Sequence, residues 1–194
     1  HEDCRRQRQM CIRDRYLGKT IGNYIKSDQY ITITTNHTPR IVEHVQSGKA
    51  TLGLCAGLLP AHHGLMTFHL FDEPFAVVND APLKQLPDKI ITNDLTNPAN
   101  SYQLITLEKL GIKPIMEMDA YTAAAQLALG GTAPALIPHS IIKALNIPDK
   151  HCFHFKQLQH LIRPIHICVR QSVYQSPRVK KLIATIVDAV PKAV

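Results

Sequence analysis

The chain has 194 residues, of which 45% are hydrophobic and 19% charged, with a formal net charge of +7. That length and apolar content support a substantial buried core, in one domain or two small lobes, and exclude a disordered or fibrous chain. The basic charge is dispersed outside Arg5, Arg6, Arg8, Arg13 and Arg15, so it reads as a solvated surface and not as a nucleic-acid footprint.

Residues 1–15 have no amphipathic period and few apolar positions, and read as a tail outside the fold, disordered or foreign to the native protein. Regular pattern begins at Tyr16, with a helix expected over 17–26 and a β-branched, aromatic strand over 30–35. Pro39 opens a helix that ends near Gly48, and residues 50–55 form the next strand. After a loop over 56–64, two strand signals follow at 65–71 and 74–79. Pro82 and Pro87 interrupt regular structure, so 80–88 is read as a crossing into a second lobe. The predicted division is a tail over 1–15, a first lobe over 16–80 and 163–194, and a second lobe over 81–162.

In the second lobe, 89–95 reads as a strand, Asn97 to Ser101 cap a helix that ends at Gly111, and 113–118 is a further strand. The stretch MDAYTAAAQLALGGTAPALIPHS (118–140) is the most informative of the chain. Asp119 is expected to cap a helix starting at Ala120, Gly130 and Gly131 to stop it in the left-handed conformation, and 133–137 to form a buried strand that Pro138 ends. Residues 163–170 cross back, and a strand over 152–158 enters only as the condition of a metal site. Ser176 then caps a closing helix with Pro177 in its first turn and an apolar face of Leu182, Ile183, Ile186, Val187 and Val190. Strands alternating with helices predict an α/β fold with mainly parallel sheets, ligands binding at strand ends where helix N-termini point.

Five cysteines, Cys4, Cys11, Cys55, Cys152 and Cys168, are odd in number and irregular in spacing, which favours a reducing, cytoplasmic setting over a disulfide framework. No apolar run approaches the roughly 18 to 20 residues of a membrane span, and the first residues are too charged for a signal-peptide core.

Several of these stretches together resemble one family. The 118–140 stretch, IVEHVQSGKATLGLC (41–55), LFDEPFAVVNDAPL (70–83), SYQLITLEKLGIKPIMEMD (101–119) and IHICVRQSVYQSPRVKKLIATIVDAV (165–190) resemble, in this order, the effector-binding domain of LysR-type transcriptional regulators. The resemblance implies a two-lobe, type 2 periplasmic-binding-protein-like architecture. It has mainly parallel sheets with helices on both faces, two hinge crossings, and a cleft that closes on a small metabolite. The family carries a winged helix-turn-helix upstream of this domain. No such pair of helices precedes Tyr16, so DNA binding is expected only through that absent module. Related domains self-associate, so a homodimer or homotetramer is implied, with 17–26 and 101–111 as the segments concerned.

A helix N-terminus holds an anion through its free amides and partial positive charge. Three helix starts qualify, and the resemblance places their residues in the effector site: Asn36, His37 and Thr38; Asn97, Asn100 and Ser101; and Asp119, Tyr121 and Thr122. Cys55 and Ala56, at the end of a first-lobe strand, are implied to lie nearby. The plainer account is that Thr38, Ser101 and Asp119 only cap helices, each contributing about 1 kcal/mol.

The competing chemistries are weaker. Cys152 with His154, and His166 with Cys168, would give two pairs of zinc-type ligands if both segments were strands, yet the spacing matches no compact zinc motif, so no metal and no cofactor are expected. No nucleophile elbow, phosphate-binding loop or dinucleotide fingerprint is present, so the chain is not read as an enzyme. The alternative to a regulator is a solute-binding protein of a transport system with the same fold.

Overall fold

The computed structural model describes residues 36–190, together with Gly22, Asn23, Lys26, Ile33 and Thr34. The tail expected over 1–15 lies outside the described residues, as do most of the helix over 17–26 and the strand over 30–35. Ile33 and Thr34, from that last segment, are exposed and in no strand.

The described chain forms two compact units, one holding the residues up to Asp72 and from Pro164 onward, the other running from Glu73 to Arg163. In the first unit, helix α1 (Thr38–Gln46) starts at Pro39, whose fixed φ suits a first turn, and stops before Gly48, at φ +83°. Strand β1 (Leu52–Ala56) pairs antiparallel with β7 (Ile162–Val169), and β7 also borders β2 (Met66–Val78). A short helix α5 (Gln171–Tyr174) and the closing helix α6 (Pro177–Ala189) follow β7.

Alternation along β7 sends Ile165, Ile167 and Val169 to one face, where they meet Val179, Ile183, Ile186 and Val190. The predicted apolar face of α6 is therefore rotated slightly: Val179 joins the core, Leu182 packs at its edge, and Val187 is 42% exposed. Ser176 occupies the N-cap position but makes no side-chain cap bond. The other face of the β1–β7 pair carries Cys55 and Cys168 against Val42.

The two strand signals at 65–71 and 74–79 are a single strand, β2, which passes from one unit to the other between Asp72 and Glu73. Pro74 removes one donor without turning the chain, and no glycine or Asx turn interrupts the run.

In the second unit, β2 is followed by β3 (Lys89–Asn93), helix α2 (Ser101–Lys109), β4 (Lys113–Met118), helix α3 (Tyr121–Leu129), β5 (Ala135–Pro138), helix α4 (His139–Ala144) and β6 (Cys152–Phe153). The strand order is β2–β5–β3–β4, with β6 on β2. β3 runs parallel to β4 and β5, as crossover helices require, whereas β2 is antiparallel to β5 and β6. The buried centre includes Ile90, Ile91, Leu107, Leu136 and Ile137, all 0% exposed.

Two local expectations are corrected here. Helix α3 starts at Tyr121 with Ala120 at the cap position: Met118 still accepts the Asp94 amide, the chain bends at Asp119, and Ala120 is itself extended. Of the two stop glycines only Gly131, at φ +78°, is left-handed; Gly130 sits at φ −80°. The condition of the metal site, a strand over 152–158, holds only for Cys152 and Phe153, before a 3-10 turn at Lys156–Leu158.

Candidate functional site

In the first unit the predicted residues gather where β1 ends and α1 begins. The Thr38 hydroxyl donates to the Ala56 carbonyl at 2.8 Å and accepts from the Ala56 amide at 3.1 Å. It fastens the strand end to the helix start and leaves α1 without a side-chain cap. His37, exposed, holds the extended N-cap position, and Asn36 beside it is half-buried. Cys55 does not join them at the surface. Strand alternation turns it inward, where it is 0% exposed, so its thiol belongs to the core.

In the second unit the turn before α2 is built from its own side chains. Asn97 Oδ1 accepts from the Ala99 amide at 3.0 Å and opens a 3-10 turn, Pro98–Asn100, ahead of α2. Asn100, 5% exposed, donates to the Asp94 carbonyl at 2.9 Å. Asp94 Oδ1 in turn accepts from the Thr96 amide and hydroxyl, and Ser101 donates to the Pro98 carbonyl at 3.0 Å. Asn97 and Asn100 thus hold the loop's shape, while Ser101 stays exposed with acceptor capacity at its hydroxyl.

The third start, at α3, separates its residues. Asp119 is exposed and Thr122 half-buried. Tyr121 points inward and is 7% exposed. Its hydroxyl accepts from Gln103 Nε2 at 2.9 Å, the Arg163 guanidinium lies 5.2 Å from its ring centroid, and the Phe75 ring is at 6.2 Å. Burial pushes the Tyr121 phenol up, against the pull of the Arg163 charge. The N-cap residues of α3 and α1, Ala120 and His37, make no side-chain cap bond.

Beneath Tyr121 is a polar cluster that sequence reasoning did not find. Arg163 donates through Nε and Nη2 to Glu73 Oε2, at 2.8 and 2.5 Å, and through Nη2 to the Ser140 hydroxyl at 3.3 Å, while the Ser140 amide donates to Glu73 Oε1. Asn93, Tyr102 and Gln103 add further buried polar atoms beside Tyr121. Burial pushes the Tyr102 phenol up as well. The signal was available in the strand alternation. Glu73 falls on the face of Phe71 and Phe75, Arg163 on that of Ile165 and Ile167, and Gln103 one helical turn before the buried Leu107.

The zinc-type pairs are not brought together. Cys152 pairs with Val78 and Cys168 with Gly53 in separate units, and no group of three or more His, Cys, Asp or Glu among the described residues is placed to hold a metal ion. His62 and His63 lie in a loop, where His63 Nδ1 accepts from the Leu65 amide. No described helix is long and apolar enough to cross a membrane.

Residues 27–191 match the LysR substrate binding domain. The chain belongs to that family. It is 65% identical over 179 residues, 92% of its length, to an uncharacterized HTH-type transcriptional regulator of Vibrio cholerae serotype O1, and it spans 63% of the length of that relative. Among solved structures, it superposes on the BenM effector binding domain with its effector benzoate at a TM-score of 0.71, with 18% identity over 88% of this chain and 83% of the other. The Synechocystis PCC6803 CcmR regulatory domain in complex with 2-PG gives 0.70, with 13% identity over 93% and 94%. CbnR, a LysR family transcriptional regulator, gives 0.63, with 16% identity over 91% and 65%. These likenesses establish the fold as that of LysR effector-binding domains. A family of transcriptional regulators, and a relative carrying that description, support the regulator over the transport alternative.

Proposed function

We propose that this chain is the part of a LysR-type transcriptional regulator that binds a small-molecule effector, relaying its presence to a helix-turn-helix elsewhere in the intact protein. The observation that carries the reading is the 65% identity to an HTH-type regulator across 92% of the chain. The effector-contacting residues are Asn36, His37, Thr38 and Ala56 in the first unit and Asn97, Asn100, Ser101, Asp119, Tyr121 and Thr122 in the second. Locally, the uncapped first turns of α1 and α3 offer amides to an acidic group, and Ser101 and Thr122 offer hydroxyls to a neutral one. An effector regulates only by binding one arrangement of the regulator better than another. The intact protein works in the cytoplasm as a homodimer or homotetramer, for which Leu104 and Ile105 on α2 and Ile115 and Met116 on β4 are exposed apolar side chains of the second unit.

The test is a thermal-shift screen of the chain against small carboxylates, amino acids, aromatic acids, phosphate and sulfate, followed by calorimetric titration of each hit. A saturable rise in melting temperature with one organic class, weakened at least tenfold by Ser101→Ala or Thr122→Val, is expected. A shift that both variants leave intact would remove these residues from the site. DNA footprinting of the intact regulator, with and without the hit, tests the relay: an unchanged footprint would refute it.

A further inference from the structure

Cys55 and Cys168 lie on neighbouring strands of the first unit, on the same face and one diagonal step apart, since Cys168 pairs with Gly53 and His166 with Cys55. Diagonal neighbours of an antiparallel pair stand roughly 7–8 Å apart, with Cβ atoms somewhat closer, so a bond between these two sulfurs draws β1 and β7 together at this point. Opposite Cys168 stands a glycine with no side chain. A Cβ at Gly53 would lie 3.8 Å from Cys55 Sγ, so the Cys55 sulfur borders the position opposite Cys168, over which Ile41 and Val45 of α1 pack. Both thiols are free, both are 0% exposed, and both belong to one small apolar cluster with Val42.

We infer that Cys55 and Cys168 form an oxidisable dithiol, converted to an intramolecular disulfide by hydrogen peroxide or a comparably small, uncharged hydroperoxide. Enclosure selects the oxidant, because only a small neutral molecule can enter by local opening. Cys168 is the first nucleophile. The hydrogen bond from Cys55 holds its thiol below the ordinary range, whereas Cys55 is pushed up by that bond and by burial. The Cys168 sulfur attacks a peroxide oxygen, an S–O bond forms as O–O breaks, and the distal oxygen leaves as water with the thiol proton. The Cys55 sulfur then attacks the Cys168 sulfenic sulfur and displaces the hydroxyl, which leaves as water with the Cys55 proton. Two thiols and one peroxide thus give one disulfide and two waters, the sulfurs oxidised and the peroxide reduced. The bond ties β1 to β7 one residue before Ala56, at the strand end that holds Thr38.

Peroxide treatment of the folded chain, a catalase quench, alkylation with iodoacetamide in denaturant and peptide mass spectrometry test the inference. A linked peptide pair containing Cys55 and Cys168, two hydrogens lighter than the sum, is expected. It should be reversed by dithiothreitol and absent from Cys55→Ser and Cys168→Ser. The melting temperature of the wild-type chain should move on oxidation and return on reduction. Full alkylation of Cys55 and Cys168 at a peroxide dose that oxidises the half-buried Cys152 would overturn it. So would sulfinic acid at either position without linkage, or linkage to another cysteine. The wild-type measurement decides the matter even if the serine variants fold poorly.

Discussion

Replacing Arg163 by Met tests how the second unit is held together. Glu73 and Arg163 side chains are 2% and 6% exposed, so neither charge is relieved by water. Met keeps much of the stem's volume but removes both Arg163 hydrogen bonds to Glu73, leaving the carboxylate with the Ser140 amide. Breaking one side of a buried ion pair costs about 3–5 kcal/mol, chiefly as the penalty on the stranded charge. Loss of the guanidinium over Tyr121 adds about 0.5–2 kcal/mol. Urea unfolding followed by far-ultraviolet circular dichroism should therefore show a large fall in midpoint for Arg163→Met. The double variant Glu73→Leu with Arg163→Met should recover at least half of the loss, since apolar replacement of a whole buried pair is often neutral. A single-variant cost below about 1 kcal/mol, the range of exposed pairs, would refute the reasoning and mean that water reaches Glu73.

Three other outcomes follow from the first unit. Gly53→Ala should cost about 1–3 kcal/mol in the same urea assay, because its Cβ would stand 2.4 Å from Ile41 Cγ2 and 3.1 Å from Val45 Cγ2. Adding Ile41→Leu, which moves the branch off Cβ, should return part of that loss. Thr38→Val should cost about 1–3 kcal/mol by orphaning the Ala56 carbonyl and amide, and Thr38→Ser, which keeps the hydroxyl, should cost clearly less. Burial, with His69 and His63 nearby, holds the His166 imidazole below its ordinary range, while Asp72 pulls the other way. The unfolded chain therefore binds this proton first. Stability at His166 is complete above the unfolded value of about 6.5 and is lost as pH falls from there through the depressed native value. Unfolding free energies between pH 7.5 and 5 should decline, and His166→Gln should flatten the decline.

Much of the fold was legible because local chemistry and tertiary structure agree. The strand Lys113–Met118 has the expected bounds, fixed by Gly111 at φ +68° on one side and the start of α3 on the other. Pro39 and Pro177 open the helices that their fixed φ favours. The misses occur where tertiary pairing overrides a local signal. Residues 65–71 and 74–79 read as two strands, yet β2 continues through Pro74 because its second half is carried by the ladder to β5, from Phe75 opposite Pro138 to Val78 opposite Ala135. Asp119 reads as a cap, yet pairing with β3 holds the chain in the sheet up to Met118, and the helix starts only at Tyr121.

The candidate site was less legible, for a reason visible in single residues. Thr38, Asn97, Asn100 and Ser101 have side chains that suit helix starts, and each is at one. What a sequence does not carry is the partner of each oxygen. Thr38 turns out to bind Ala56, 18 residues away, and not its own helix. Alternation does mark Glu73, Arg163 and Gln103 as polar side chains on inward faces, and a buried charge must be paired. Yet Glu73 and Arg163 are 90 residues apart, and only the fold brings them together under Tyr121. The polar side chains that periodicity points inward are therefore the ones that the second unit gathers under Tyr121. The side chains that suit caps, Thr38, Asn97 and Asn100, each fasten their own loop.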